Sequence, residues 1–334
     1  MKSIKKILLP SVVLALVSSA PFTVNAKAQD SPVGESSWAG KLTTRDALRP
    51  DAVGQMIADA KYKAKLLGRC RVEDLDQQPF GEKFKFDRPL EWDSKLVEQL
   101  RESATDNNIR CKLFLGTWCG DTQREVPKLL RLFETIQWPM ENLEMHAVDY
   151  VAGHYKMDPA GQARKHRVHR VPTLIVMRGD QTIGRIVETP TTSWEMDLAQ
   201  ILAGLPSDSR YPVADLVFRW VQDDDEALKS VPAEPVETSE AKPPVDSEPF
   251  QKTVDALRSR SRGPTELSTL VRVLLERGDT RSALRVANIN IRLHPAEPRV
   301  IASLATAAFR AGYRDTALAQ CKRAIRMRPQ EERY

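Results

Sequence analysis

The residues Trp118-Cys119-Gly120-Asp121 carry more potential chemistry than any other stretch of this chain. A cysteine is a nucleophile only as its thiolate, so a reactive one needs access and something that favours negative charge. Cys119 lies between an apolar stretch, Ile109 to Leu115, and a run of helical spacing formed by Val126, Leu129, Leu130 and Phe133. The N-terminal amides and dipole of such a helix stabilise an anion. Gly120 lets the backbone turn and keeps the sulfur open, and Trp118 shields one side of it. Asp121 opposes a thiolate, and the cationic run Arg164, Lys165, His166, Arg167, His169 and Arg170 would favour one wherever the fold brings it beside the sulfur. Thr122, three residues after Cys119, offers the sulfur a hydroxyl.

The elements that must hold this turn follow from periodicity. Residues 91–105 read as a helix, 109–115 as a buried strand, 121–136 as a helix and 143–148 as a strand. Residues 158–166 read as a short helix. Two strands, 171–177 and 182–187, are joined by the hairpin signal Arg178-Gly179-Asp180-Gln181, and 193–205 closes as a helix. Alternation first and a hairpin last predict an α/β domain, a mixed central sheet with flanking helices. Upstream lies a helical or irregular extension, 29–90. Within it, Arg45 to Leu67 places Leu48, Val53, Met56, Ile57, Ala60 and Ala64 at helical spacing, and the Gly- and Pro-bearing residues 68–90 read as irregular.

The Trp-Cys-Gly turn after a buried strand, the later Val171-Pro172-Thr173 step and the element order resemble the thioredoxin superfamily over residues 91–206. Gly116 to Thr122, with Glu125-Val126-Pro127 and Gly184 to Pro190, is similar to bacterial thioredoxin-like proteins with a Trp-Cys-Gly-Asp-Ser/Thr turn. The resemblance implies a thioredoxin fold in which Val171–Pro172 is cis and lies against the sulfur. It also implies a substrate groove lined by Trp118, Gly120, Asp121 and Val171. Redox thioredoxins carry a second cysteine at the position Thr122 fills here, so the expected chemistry is that of a monothiol. Cys119, Thr122 and Pro172 are then the catalytic candidates, and an external thiol must release any mixed disulfide. The alternative is a non-catalytic adaptor that uses the fold for binding, and the sequence leaves open whether the chain is an enzyme.

The other candidates read as structure. Cys111 alternates with Leu113 and Leu115 on the strand, and Cys321 falls at a helix packing position, so both are expected to be buried. Cys70 could resolve Cys119 or bridge to Cys111. His146, His154, His166, His169 and His294 show no metal-ligand spacing, and His166 and His169 read as part of a solvated basic face. No metal and no cofactor is expected, because no phosphate loop, Ser/His/Asp set or dinucleotide fingerprint occurs.

The 334-residue chain has room for two domains, and its net charge of +5 does not argue for nucleic acid. Lys2, Lys5 and Lys6, the apolar run Ile7 to Val17 and the Ala26-Lys27-Ala28 step lay out a secretory signal peptide over 1–28. The expected location is therefore periplasmic or secreted, with no membrane span after cleavage. Residues 207–250 read as a helix and then an acidic, Pro-rich linker that cannot bury a core. Beyond it, Gly278, Ala283 and Pro295 recur as Gly312, Ala317 and Pro329, each 34 residues on. That period resembles the tetratricopeptide family over about 264–330, within an all-α region 251–334. A helix at 250–260 could cap the pair. The region holds 17 basic against 8 acidic residues, which suits a polypeptide ligand of acidic character, the chain's own linker included. The remaining expected partners are protein thiols or disulfides.

Overall fold

A computed structural model of the chain describes residues 39–236 and 246–327. The signal peptide and its cleavage step lie outside the described residues, as does Pro329. After a single 3-10 turn (Arg45–Ala47) come strands: a hairpin of β1 (Met56–Asp59) and β2 (Lys63–Leu66), then β3 (Gly68–Cys70). This corrects the helix expected over 45–67. Pro50 and Gly54, the latter at φ +70°, break that helix, and Lys63 at φ +67° turns the hairpin.

Short helices α1 (Val72–Asp76) and α2 (Gly81–Phe84) lead to α3 (Ser94–Ala104), which Asp93 caps by accepting from the amides of Lys95 and Leu96. Then follow β4 (Ile109–Leu115), α4 (Gly120–Thr135), β5 (Leu143–Ala147), α5 (Gln162–Lys165), β6 (Thr173–Arg178), β7 (Gln181–Val187) and α6 (Trp194–Leu202). The sheet runs β3-β5-β4-β6-β7. β4 pairs parallel with β5 and antiparallel with β6, while β3 runs antiparallel to β5. The edge strand β3 is the one member the periodicity missed; three residues are too few to show a period. On one face Phe114, Val148 and Ile175 form a small cluster with Ala163, Val168 and Val171, and Trp118 and Cys119 pack against it.

The C-terminal region is all helical: α7 (Pro212–Asp223), α8 (Glu226–Lys229), α9 (Glu248–Arg258), α10 (Thr265–Glu276), α11 (Thr280–Leu293), α12 (Pro298–Arg310) and α13 (Arg314–Met327). These helices share one apolar core, and Tyr155 of the sheet domain packs against it. Gly278 and Gly312 follow α10 and α12 in the left-handed region, at φ +80° and +92°, where a side chain would strain the turn. Ala283 and Ala317 are buried at the corresponding helix contacts.

The acidic stretch departs from expectation at its described ends. Leu228, Val231 and Val236 bury themselves in the helical core. Buried Asn288 of α11 holds the backbone there: Nδ2 donates to the carbonyls of Pro232 (2.9 Å) and Glu234 (2.7 Å), and Oδ1 accepts from the Val236 amide (3.2 Å). One turn on, Arg292 grips Asp246 with two bonds of 2.6 and 2.9 Å. Spaced apolar side chains, a satisfied backbone and one ion pair thus seat the described ends of this stretch. Among the described residues, no helix is long and apolar enough to cross a membrane.

Candidate functional site

Cys119 is the residue at the start of α4, in extended conformation, and its carbonyl accepts from the Gln123 amide at 3.0 Å. The turn is fixed from several sides. The Cys119 amide donates to the Gly116 carbonyl (2.8 Å), and the Gln123 side chain donates to the Thr117 carbonyl (2.8 Å). The glycine that geometry demands is Gly116, where a Cβ would lie 2.6 Å from the Trp118 ring. Gly120 has open space around its Cα and leaves the approach to the sulfur clear. Trp118 is anchored by its indole N–H on the Val148 carbonyl at 2.9 Å.

The sulfur of Cys119 is half-buried and donates to the Val171 carbonyl at 3.4 Å, next to a cis Val171–Pro172 peptide. Thr122 is fully buried, and its hydroxyl accepts from the Gly116 amide at 3.3 Å; this bond braces the turn in place of the expected one to the sulfur. Asp121 forms an ion pair with Arg124, so its charge is partnered. All four cysteines are free thiols. Cys111 and Cys70 are buried, and burial pushes both thiols far above their ordinary range. β5 stands between the strands that carry them. Cys321 is half-buried rather than buried.

The histidines also depart from expectation, since His166 and His169 are buried rather than solvated. His169 Nε2 meets Asp215 at 3.0 Å, and its ring lies against Tyr211 and Phe218. Burial, helped by the cations Lys112 and Lys165, pulls His166 down to about 4. Among the described residues, no cluster of His, Cys, Asp and Glu is placed to hold a metal ion.

Around the turn stand residues that sequence reasoning did not bring together. On one side is the N-terminal hairpin. Its Leu66 amide donates to the Thr117 hydroxyl at 3.3 Å, and Tyr150 packs on Trp118 with ring centroids 5.2 Å apart. On the other side Lys156, only 5% exposed, holds its ammonium 4.8 Å from the Trp118 ring centroid and 5.3 Å from that of Tyr155. Burial pulls Lys156 down to about 8, against the opposing pull of Cys119 and Glu188. Arg272 of α10 stacks on Tyr155 at 3.8 Å, and Arg170 on Tyr211 at 4.1 Å. Arg170 also pairs with Glu188 at 3.0 Å, and Glu188 accepts from the Tyr211 hydroxyl as well. The one available signal was positional: Tyr155-Lys156 follows a strand end that leads to the same edge as Cys119.

Helix α10 is the wall of this side. Arg170 donates to the Thr265 carbonyl and the Thr269 hydroxyl, both at 2.8 Å. Glu276 accepts from the Gly153 amide, and Arg277 donates to the carbonyls of Val168 (2.9 Å) and Lys156 (3.3 Å). Positions 265, 269, 272 and 276 fall on one helix face. The opposite face, with Leu267, Leu270 and Leu274, packs into the helical core.

Comparison of the chain with family models, curated proteins and solved structures gives no match.

Proposed function

We propose that the sheet domain is thioredoxin-like, that α10–α13 are a tetratricopeptide-like pair preceded by capping helices, and that Cys119 performs monothiol thiol–disulfide chemistry in the cell envelope. The observation that carries this reading is the placement of the Cys119 sulfur. It sits at the start of a 16-residue helix and 3.4 Å from the Val171 carbonyl beside Pro172. The species that attacks disulfides is the thiolate. Thr122 braces the turn, and Pro172 follows the carbonyl that the sulfur meets.

Reduction of insulin in the presence of a thiol reductant tests the activity, with the wild type set against Cys119→Ser. The wild type should be faster, and equal background rates would overturn the thiol reading. The N-terminus of the protein recovered from the envelope should begin just after Ala28. A second reading, a binding or adaptor protein, draws on Thr122 at the resolving position and on the burial of Cys70 and Cys111. Capture in cells separates the two. Mixed disulfides trapped at Cys119 support the first, and partners held by the helical region alone support the second.

A further inference from the structure

Lys156 is a buried cation without a counter-ion: among the described residues no hydrogen bond or ion pair reaches its ammonium, which rests on the faces of Trp118 and Tyr155. Such a charge is costly to bury unpaired. Arg272 stands beside it on the far side of Tyr155, exposed and likewise without a carboxylate. The nearby acid is Glu188, and it is already engaged by Arg170 and the Tyr211 hydroxyl. The Cys119 side of the molecule therefore presents two uncompensated cations, one from each region of the chain, at the rim of a thiol. Helix α10 is held there by its contacts to Arg170, Gly153, Lys156 and Val168, so Arg272 is a fixed part of the site.

We propose that this site selects disulfides and thiols carrying an anionic group, such as a carboxylate, close to the sulfur, with Lys156 and Arg272 as the specificity-determining residues. The inference rests on the thiol reading of Cys119. In the step concerned, the Cys119 thiolate attacks one sulfur of the substrate disulfide, and the substrate S–S bond breaks as the Cys119–S bond forms. The second half of the substrate leaves as a thiolate with the electron pair and takes a proton from water. Cys119 is thereby oxidised to the mixed disulfide and the leaving thiol is reduced. A second thiol of the same anionic class restores Cys119 by the reverse attack. The cations act by placing the anionic group of the substrate over Tyr155, with its sulfur at Cys119.

The test compares three aliphatic disulfides of similar intrinsic reactivity: dithiodipropionate (anionic), bis(hydroxyethyl) disulfide (neutral) and cystamine (cationic). The rate of modification of the Cys119 peptide is read by mass spectrometry in the full-length protein and normalised to the rate of a free thiol. The anionic disulfide should react roughly tenfold or more faster than the cationic one at low salt, as expected for two nearby cations. The preference should fall severalfold at about 1 M salt, where the Debye length is about 3 Å. Arg272→Gln and Lys156→Met should each shrink the preference severalfold, and Lys322→Gln, the loss of an exposed cation on α13, should leave it in place. Reaction of Cys119 with all three disulfides at equal normalised rates, or a preference untouched in Arg272→Gln and Lys156→Met, overturns the inference and spares the thiol reading. No reaction with any of the three overturns both.

Discussion

Lys65, Tyr150, Trp118 and Lys156 form a row of cation, ring, ring and cation beside the Cys119 turn: Lys65 lies 4.6 Å from the Tyr150 centroid and Lys156 4.8 Å from that of Trp118. The two lysines are almost equally buried, at 2% and 5% exposure, yet their surroundings are opposite. Lys65 is saturated by Asp149 at 2.7 Å and Asp59 at 3.1 Å, and those acids are further held by Arg45 and the Tyr150 hydroxyl. Lys156 has rings and no acid. A buried cation with every charge answered fixes the hairpin to the sheet; a buried cation left unanswered is held ready for an anion that arrives from outside. The same tryptophan separates the half of this row that holds the hairpin from the half beside Tyr155 and Arg272.

The largest break in this comparison is Lys65→Met. It leaves Asp59 without a cation and Asp149 with Arg45 alone, and should cost ~3–5 kcal/mol in urea unfolding. Adding Asp59→Asn and Asp149→Asn should return most of that loss, because neutral side chains of similar shape no longer need a cation. A cost below about 1 kcal/mol for the single change would mean that water reaches the acids and that the network does little. Burial pushes both carboxyls up, but the hydrogen bonds from Lys65, Tyr150, Arg45 and nearby amides outweigh it and hold them below the ordinary range. Their contribution is therefore complete above the unfolded value of about 4 and is lost as pH falls below it.

Lys156→Met sharpens the contrast by having the opposite sign. Its folded value of about 8 lies below the ordinary 10.5, so the folded state gives up the proton first. Stability is penalised below pH 8 and recovers as pH rises toward 10.5. At about 1.4 kcal/mol per unit, the methionine variant should gain up to ~3 kcal/mol at pH 7, an advantage that fades by about pH 10.5. The groups that face Lys156 and set this balance are Cys119, Glu188, Arg170, Arg272 and Tyr155. A loss like that of Lys65→Met would make Lys156 a structural residue.

Tyr150→Phe tests the link between the halves. The hydroxyl donates to both Asp59 oxygens, at 2.9 and 3.0 Å, and its loss should cost about 1.5–3 kcal/mol. The ring stays on Trp118, so the rate of Cys119 with a neutral disulfide should hold within about twofold, on the order of a few tenths of a kcal/mol. A collapse of that rate would place the Asp59 network in control of the thiol.

The turn and most of its strands were legible in the sequence, because β4, β6 and β7 are runs long enough to show a period and the glycines at 278 and 312 mark helix ends by a conformation few residues adopt. The hairpin was not legible. Helical spacing over 45–67 is a local signal, and it lost to Pro50, Gly54 and a charge network whose members lie 84 positions apart, as Lys65 and Asp149 do. Lys156 and Arg272 escaped for the same reason: nothing local marks a lysine whose partner is a ring, or an arginine on a helix that another region recruits. The Thr122 hydroxyl faces the Gly116 amide rather than the sulfur, a preference that no spacing encodes.

The smallest effect expected is that of Arg277→Lys, and it bears on the same comparison. One guanidinium nitrogen of Arg277 reaches the Val168 and Lys156 carbonyls, which ties the Lys156 loop to the end of α10. An ammonium is a compact donor that lacks the planar fork, so it cannot keep this grip while also lying along Phe218, from which the guanidinium is 5.3 Å. The stability cost should be about 1 kcal/mol, the worth of one hydrogen bond. The informative readout is Cys119 chemistry: Arg272 and Lys156 would move apart, and the preference for an anionic over a cationic disulfide should fall about twofold to threefold, with the hairpin network unaffected. Equal loss of preference and of hairpin protection in hydrogen exchange would mean that the two halves of the row unfold together, and the division at Trp118 would have to be abandoned.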